Sequence, residues 1–376
     1  MSNVWFILND YNPSTPGYNR FDGLAKGMVK RGYGVGRVYI WSNSFGYPDE
    51  ANSQGIKEVC LWEGHREMKG KLRHVFNIFR LCRFLRSLPS GDRVIATNTS
   101  YHYVYSWFKK LHVYIEKSEY PELHMASASL PIRLLFRSYL STCRKMCGML
   151  LISESLKNYY INKGVSEEKI LVVNMTVDSA RFTDIKKQRG SVRYIAYCGA
   201  VSNYKDGVDV LIKAFAEVAK RISAIKLYII GAFPSEKDKE QDLQLVDSLG
   251  IKDRVVFTGN IDRTKMPQML VNAEALVLAR PDNIQAQYGF PTKLGEYLLT
   301  GNPVVVTSVG EIPLFLKDDV NAYLAKPGDV KEIAYKIYES LTSGKARLIG
   351  EAGKQTALES FNSDVEADKI LKFIYG

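Results

Sequence analysis

The chain has 376 residues, 46% of them hydrophobic, and no apolar run near the ~20 residues of a bilayer span; it reads as a two-domain globular protein, not a fibrous, disordered or membrane-spanning one. Its net charge of +11 is unevenly placed: residues 1–190 hold 28 Lys and Arg against 16 Asp and Glu (+12), and residues 191–376 hold 23 against 24 (−1). The basic half predicts an anionic partner: nucleic acid, membrane headgroups or a charged acceptor.

Residues 1–3 carry no basic region and residues 4–8 are too short for a signal-peptide core, so no signal peptide is expected. The five cysteines (Cys60, Cys82, Cys143, Cys147 and Cys198) are odd in number and scattered, which predicts free thiols in a reducing cytoplasm. Cys143 and Cys147 lie four apart in a predicted helix with no His pair nearby, a pattern of buried thiols and not of a zinc site.

Residues 4–8 form the first predicted strand, followed by a polar loop to Gly17. A helix begins near Tyr18 with Phe21, Leu24, Ala25 and Met28 on one face, and Gly32 stops it. Residues 37–41 form the second strand. This strand–loop–helix–strand unit, repeated, means a parallel sheet with crossover helices. The cluster Gly32, Gly34 and Gly36 precedes a strand and lacks dinucleotide-fingerprint spacing, so it reads as a helix stop and turn.

Residues 65–88 are basic. Leu72, Val75, Phe76, Phe79 and Cys82 make an apolar face, with Arg73, Arg80, Arg83 and Arg86 off it. Two readings stand: a domain helix with a solvated basic face, or a helix lying near an anionic bilayer. Residues 132–147, with Arg133, Arg137, Arg144 and Lys145, form a second such segment. Strands are predicted at 93–97, 111–115, 148–152 and 169–173, with Ser153 capping a helix at 154–163. Residues 183–189 are charged and aperiodic, and read as a linker.

The pattern then restarts: a strand at 193–197, a loop at 198–205, a helix at 207–222 with Val208, Leu211, Ile212, Phe215, Val218 and Ile222 as its buried stripe, and strands at 226–230, 254–257 and 275–278. Residues 288–307 read as loop, short helix, stop and buried strand. Pro291 suits the first helical position, Gly301 a left-handed turn after the last, and Pro303 blocks continuation. The free amides of Thr292 and Lys293, at the positive end of the helix, suit a phosphate, and Glu296 lies one turn in. A nucleotide-sugar grip and an ordinary helix–strand connection both fit this stretch. Asp206 and Asp209 lack metal-pair spacing, and the acids at 238–240 sit in a very polar loop, so no divalent ion is expected. The last segment, 363–375, is amphipathic.

The notable loops each follow a strand: Gly17, Asn98, Glu119, Lys205, Gly231, Asn260, Arg280 and 288–296. Open parallel sheets bind ligands at that edge, so two such sheets facing each other would form a cleft. Lys205, just after a strand and before a helix, can meet a diphosphate as a point charge or be a solvated loop lysine.

The run Cys198-Gly199-Ala200-Val201-Ser202-Asn203-Tyr204-Lys205-Asp206-Gly207, followed by Val210-Leu211-Ile212, resembles the donor-domain opening of glycosyltransferase family 4. Val255 through Asn260, the 288–296 loop and Gly301-Asn302-Pro303-Val304-Val305 match in family order, and the first half matches more loosely through Gly17 with residues 24–28 and through 174–182. The resemblance implies an α/β protein of the GT-B fold: two Rossmann-like parallel-sheet domains facing across a cleft, with a C-terminal helix crossing back to the first. The expected division is 1–186 on the acceptor side, 191–356 for the nucleotide-sugar donor, and 357–376 as the returning helix.

By the same resemblance, Lys205 neutralises the donor diphosphate, Glu296 holds the ribose hydroxyls, and the backbone of Phe290, Pro291, Thr292 and Lys293, with Gly289 in the same loop, meets sugar and phosphate. Gly17 lets the first loop approach the phosphates, and Asn260 and Ile261 line the base pocket. Two departures stand out. Ala200 occupies the place of a usual Arg, leaving Arg280 as a candidate diphosphate contact, and Tyr288 replaces the first Glu of an E-x7-E pair, which alters the sugar pocket. In the loop at 116–121, where many members carry a His, Glu119 is the best-placed ionisable group for orienting the acceptor or stabilising positive character at the sugar ring; His124 is nearby but later. The implied activity is metal- and cofactor-independent retaining transfer from a nucleotide-sugar to a glycan acceptor, lipid-linked, in cell-surface polysaccharide biosynthesis, by a cytoplasmic protein held at the inner membrane face through its basic domain. A nucleotide-sugar epimerase of the same fold and a non-enzymatic protein binding nucleic acid or an anionic surface remain as alternatives; against nucleic acid, the basic residues are not interleaved with aromatics on a recognition surface.

Overall fold

The computed structural model describes residues 2–10, 16–42, 55–62, 70–97, 99–123, 125, 128–188, 190 and 192–376. Asn98, His124 and residues 11–15, 43–54 and 63–69 lie outside these, and with them part of the first loop and the start of the 65–88 segment. The chain divides into two compact units, Met1–Thr176 with Ser363–Gly376, and Val177–Asn362.

In the first unit, strands β1 (Val4–Asp10), β2 (Val35–Trp41), β3 (Ile56–Cys60), β4 (Arg93–Ala96), β5 (His112–Lys117), β6 (Gly148–Leu151) and β7 (Ile170–Val172) form a parallel sheet in the order β3-β2-β1-β4-β5-β6-β7. Central β1 reads VWFILND, and its apolar run is buried on both faces, as a covered parallel sheet requires. Helix Pro16–Val29 lays Phe21, Leu24, Ala25 and Met28 into the core, where Ala367, Ile370, Leu371 and Ile374 of the C-terminal helix Ser363–Tyr375 meet them. Gly27 permits the approach, since a Cβ there would stand 2.9 Å from that of Ala367. Buried Arg20 donates to the carbonyls of Val173 (2.9 Å) and Asn174 (2.7 Å) and stands 3.6 Å from Glu116.

In the second unit, β8 (Arg193–Cys198), β9 (Ile225–Ile230), β10 (Val255–Gly259), β11 (Leu276–Leu278), β12 (Val304–Thr307) and β13 (Tyr323–Ala325) form a parallel sheet in the order β10-β9-β8-β11-β12-β13. The order reverses between β8 and β11, so the loops leaving those strands open a crevice at their carboxyl ends.

Several expectations change. Strand β3 was not anticipated. Gly17 lies within the first turn of helix Pro16–Val29, not in the loop before it. Glu116 and Lys117 end β5, so the loop carrying Glu119 begins at Ser118. The acids at 238–240 belong to helix Glu236–Ser248, because Ser235 caps it by accepting from the Asp238 amide at 3.1 Å. Cys143 is buried as expected, but Cys147 is exposed. Residues 183–188 are not a free linker: Lys187 Nζ donates to the Ala273 carbonyl (2.8 Å) and the Gln188 amide to Asn272 (2.9 Å), which fastens them to the second unit. The first unit accordingly ends at Thr176, ten residues before the expected division. Position 357 falls inside helix Ala346–Ser360, and the return to the first unit begins at Ser363.

Candidate functional site

The site is built on the ends of β8 and β11 and on helix Thr292–Leu299. The backbone needs glycine once beyond β8, at Gly199, and once beyond β9, at Gly231. A Cβ on Gly231 (φ +140°) would lie 1.9 Å from the Gly199 carbonyl oxygen, and one on Gly199 (φ +155°) 2.2 Å from Lys293 Nζ. The turn Asn203–Asp206 follows, with Ser202 Oγ accepting from the Lys205 amide at 3.3 Å. Left-handed Gly207 (φ +65°) presses on the Ala279 carbonyl, so the turn sits directly against the exit of β11.

That turn buries Asp206 and leaves Lys205 half-buried. The Asp206 carboxylate pairs with the Lys293 ammonium, and the Tyr197 hydroxyl lies 2.6 Å from Asp206 Oδ2 and 2.6 Å from the Ala200 carbonyl. Lys293 also donates to that hydroxyl (3.1 Å) and stands 4.7 Å above the Tyr197 ring centroid. Burial alone would raise the Asp206 pKa; the adjacent Lys293 charge and hydrogen bond, the Tyr197 hydroxyl and Arg280 hold it below the ordinary carboxylate value. Burial lowers the Lys293 pKa, with Asp206 opposing and Lys205 adding to the fall. Lys205 and Lys293 are therefore electrostatic neighbours.

One turn on, Tyr297 is fully buried, and its hydroxyl accepts from the Cys198 amide (2.5 Å) and donates to the Cys198 carbonyl (3.1 Å). Lys293 and Tyr297, four apart, thus pin one face of the helix to the end of β8. Between them, Glu296 pairs with Arg181, both side chains mostly buried. Burial and the Glu296 charge push the Cys198 thiol up to about 12, opposed by Lys293 and Arg181, so all four groups share this spot.

Arg280 is 3% exposed, its guanidinium donates to the Gln285 carbonyl (3.1 Å), and its charge reaches Asp206. The Phe290 side chain packs among Phe315 and Phe361 at 5.5 and 5.4 Å, which anchors the loop whose backbone is the expected contact. Pro291 is the cap (φ −75°, ψ 109°), not the first helical residue, and Thr292 opens the helix. Gly301 is left-handed (φ +71°), as its place after the helix requires. Gly289 is buried and Tyr288 half-buried at the end of helix Ile284–Tyr288. Exposed Asn260 and half-buried Ile261 follow β10.

Lys205, Lys293, Arg280 and Glu296 are thus brought together in the second unit, while Gly17 and exposed Glu119 belong to the first. Sequence reasoning missed the side-chain role of Lys293 and its partners Asp206 and Tyr197, and also Arg181 and Tyr297. The four cations Lys205, Lys293, Arg280 and Arg181 against the carboxylates of Asp206 and Glu296 leave a formal excess of two positive charges (4 − 2), the charge a diphosphate diester brings with opposite sign.

Residues 192–343 match the family model described as Glycosyl transferases group 1. The N-acetyl-alpha-D-glucosaminyl L-malate synthase of Bacillus anthracis is 26% identical over 217 residues, covering 57% of this chain and 54% of that protein. The GDP-mannose-dependent alpha-(1-6)-phosphatidylinositol monomannoside mannosyltransferase of Mycobacterium tuberculosis is 25% identical over 177 residues, 46% of this chain and 45% of that protein. The alignments span about half the length of these relatives. In fold, Anabaena HepE, crystallised with UDP and glucose, superposes with a TM-score of 0.77 over 100% of both chains at 16% identity. Two parallel-sheet Rossmann-like domains that superpose on HepE give the chain the GT-B fold, and within it residues 192–343 carry the match to Glycosyl transferases group 1.

Proposed function

We propose that the chain is a retaining glycosyltransferase that moves a sugar from a nucleotide-sugar to a lipid-linked glycan acceptor in cell-surface polysaccharide biosynthesis, at the cytoplasmic face of a membrane. The excess of two positive charges where β8, β11 and helix Thr292–Leu299 converge is the observation that carries it. HepE was crystallised with UDP and glucose, and the mannosyltransferase relative uses GDP-mannose on a phosphatidylinositol glycan; both support a nucleotide-sugar donor, and the second supports a lipid-borne acceptor.

In this reading Lys205 meets the diphosphate directly, the amides of Thr292 and Lys293 add the positive helix end, and Glu296, oriented by Arg181, accepts from the ribose hydroxyls. The backbone around Asn260 and Ile261 borders the base, and Tyr288 and Gly289 border the donor sugar. The acceptor hydroxyl attacks the anomeric carbon on the face from which the diphosphate departs. The new C–O bond forms as the sugar–phosphate bond breaks, and a leaving phosphate oxygen takes the hydroxyl proton. No enzymic nucleophile is needed. Neutralisation of the leaving group falls to Lys205, Lys293 and Arg280 without a metal, and Glu119 and Gly17 belong to the acceptor-side unit.

Thermal-shift titration with UDP-glucose and GDP-mannose tests donor binding, because a ligand of the folded state raises the melting temperature. Lys205→Ala should cut donor turnover by about 100-fold or more, and Glu296→Ala should weaken donor binding about tenfold, with circular dichroism unchanged. Wild-type turnover in both variants would sink the site assignment.

A further inference from the structure

In the first unit, helices Gly70–Ser87 and Leu130–Lys145 leave apolar side chains in solvent. Leu72 (55% exposed), Val75, Phe76 and Phe79 (63%) stand out on the first, and Leu130 (70%), Ile132, Leu134 and Leu135 on the second. The two lean on one segment between them: His74 stacks on Tyr101 at 4.9 Å and bonds the Tyr103 hydroxyl at 2.7 Å, and His102 packs edge-on against Tyr139 at 5.7 Å. Trp107, 61% exposed, lies 5.8 Å from Tyr103 on the same segment. These nine residues are nearly half of the nineteen exposed large hydrophobic side chains among the described residues, so exposed apolar surface is concentrated on these two helices and the segment they lean on.

Neither helix contains an Asp or Glu, while Arg73, Arg80, Arg83, Arg86, Arg133, Arg137, Arg144 and Lys145 are all exposed on them. A groove of about 430 Å³ beside the first helix combines both chemistries, with Leu61, Phe79 and Phe84 lining it alongside Arg80 and Arg83. Apolar side chains flanked by exposed arginines, on helices that carry no acid of their own, match an anionic bilayer surface: hydrocarbon below, phosphates at the rim. A second copy of the chain does not fit, because pairing this face with itself would set two pairs of cationic helices against each other.

We infer that this face docks on anionic lipid, with Leu134, Leu135, Phe79 and Trp107 entering the headgroup–acyl boundary and Arg83 taking a lipid phosphate. The inference gives the lipid-linked acceptor of the proposed function its surface. It is tested without donor or acceptor, so it stands or falls apart from the transfer reaction.

The full chain is mixed with vesicles of phosphatidylglycerol and phosphatidylcholine in equal parts, or of phosphatidylcholine alone, and sedimented. Binding should favour the anionic vesicles by tenfold or more and weaken with salt. Phe79→Glu with Leu135→Glu should abolish it, and Arg73→Gln with Arg83→Gln should reduce it roughly fivefold per arginine. Brominated lipid should quench tryptophan fluorescence in the wild type, and Trp107→Phe should remove most of the quenching, a readout at an exposed position that does not depend on the charged variants folding. Equal binding to neutral vesicles, absence of quenching, or a glutamate variant that changes only the oligomeric state in sedimentation velocity would overturn the proposal.

Discussion

Lys293 shapes this part of the second unit through its side chain and not only through its place at the helix start. Its ammonium occupies space that only a glycine at 199 leaves open, and it holds Asp206 ionised in a buried site. A second buried carboxyl sets the pH behaviour nearby. Asp242 is fully buried and accepts from Asn203 Nδ2 at 2.9 Å, and burial pushes its pKa up to about 6. Below about pH 4 it is protonated in both folded and unfolded chains. Between about 4 and 6 the folded chain keeps a proton that the unfolded chain has lost, so stability falls as pH rises; above about 6 both are ionised and the cost is constant, on the order of 2–3 kcal/mol. Asp242→Asn keeps an acceptor for Asn203 and removes the charge. Its melting temperature should match the wild type at pH 4 and exceed it by several degrees at pH 7.5; the same gap at both pH values would count against a raised Asp242 pKa.

At the scale of elements, the site depends on how helix Thr292–Leu299 is fastened. The Tyr297 hydroxyl serves both the amide and the carbonyl of Cys198 in a fully buried position. Tyr297→Phe strands both groups, which costs about 1–3 kcal/mol each when buried polar partners are lost. The helix end should then loosen, with lower thermal stability and weaker nucleotide binding, and Tyr297→Phe retaining the wild-type UDP-dependent shift would separate the helix from the site. The elements legible in sequence were those with strong periodicity, such as Val208–Arg221, where Val208, Leu211, Ile212, Phe215 and Val218 are buried as expected and only Ile222, the residue after the helix, is half-buried. Strand β3 was not, since Lys57 and Glu58 break its pattern and only Ile56 is fully buried. Helix Glu236–Ser248 was hidden by a nearly all-polar face, with only Asp242 and Val246 buried. The loop carrying Lys205 and the 292–299 helix were readable because Gly and Pro act locally, whereas the closing of that loop into the turn Asn203–Asp206 by the Ser202 cap was not. The Lys293–Asp206 and Arg181–Glu296 pairs join positions 87 and 115 residues apart, which no local spacing encodes.

At the scale of the whole molecule, the last fourteen residues, 363–376, belong to the unit made by the first 176, so the first unit's core closes only when the end of the chain is in place. Ala367, Ile370, Leu371 and Ile374 are buried against helix Pro16–Val29, and Lys30 and Arg31 pair with Asp364 (2.8 Å) and Asp368 (3.3 Å) at the rim. The rim pairs are exposed and contribute little; the buried side chains dominate. Ile370 is fully buried, so Ile370→Ala should cost about 2–5 kcal/mol, whereas Lys30→Ala should cost under about 1 kcal/mol. Hydrogen exchange locates the effect. In Ile370→Ala the amides of helix Pro16–Val29 and of β1 should lose protection, while those of helix Val208–Arg221 in the second unit keep theirs. Protection lost equally in both units would mean that the two cores unfold as one, and that the C-terminal helix supports the entire chain and not the first unit in particular.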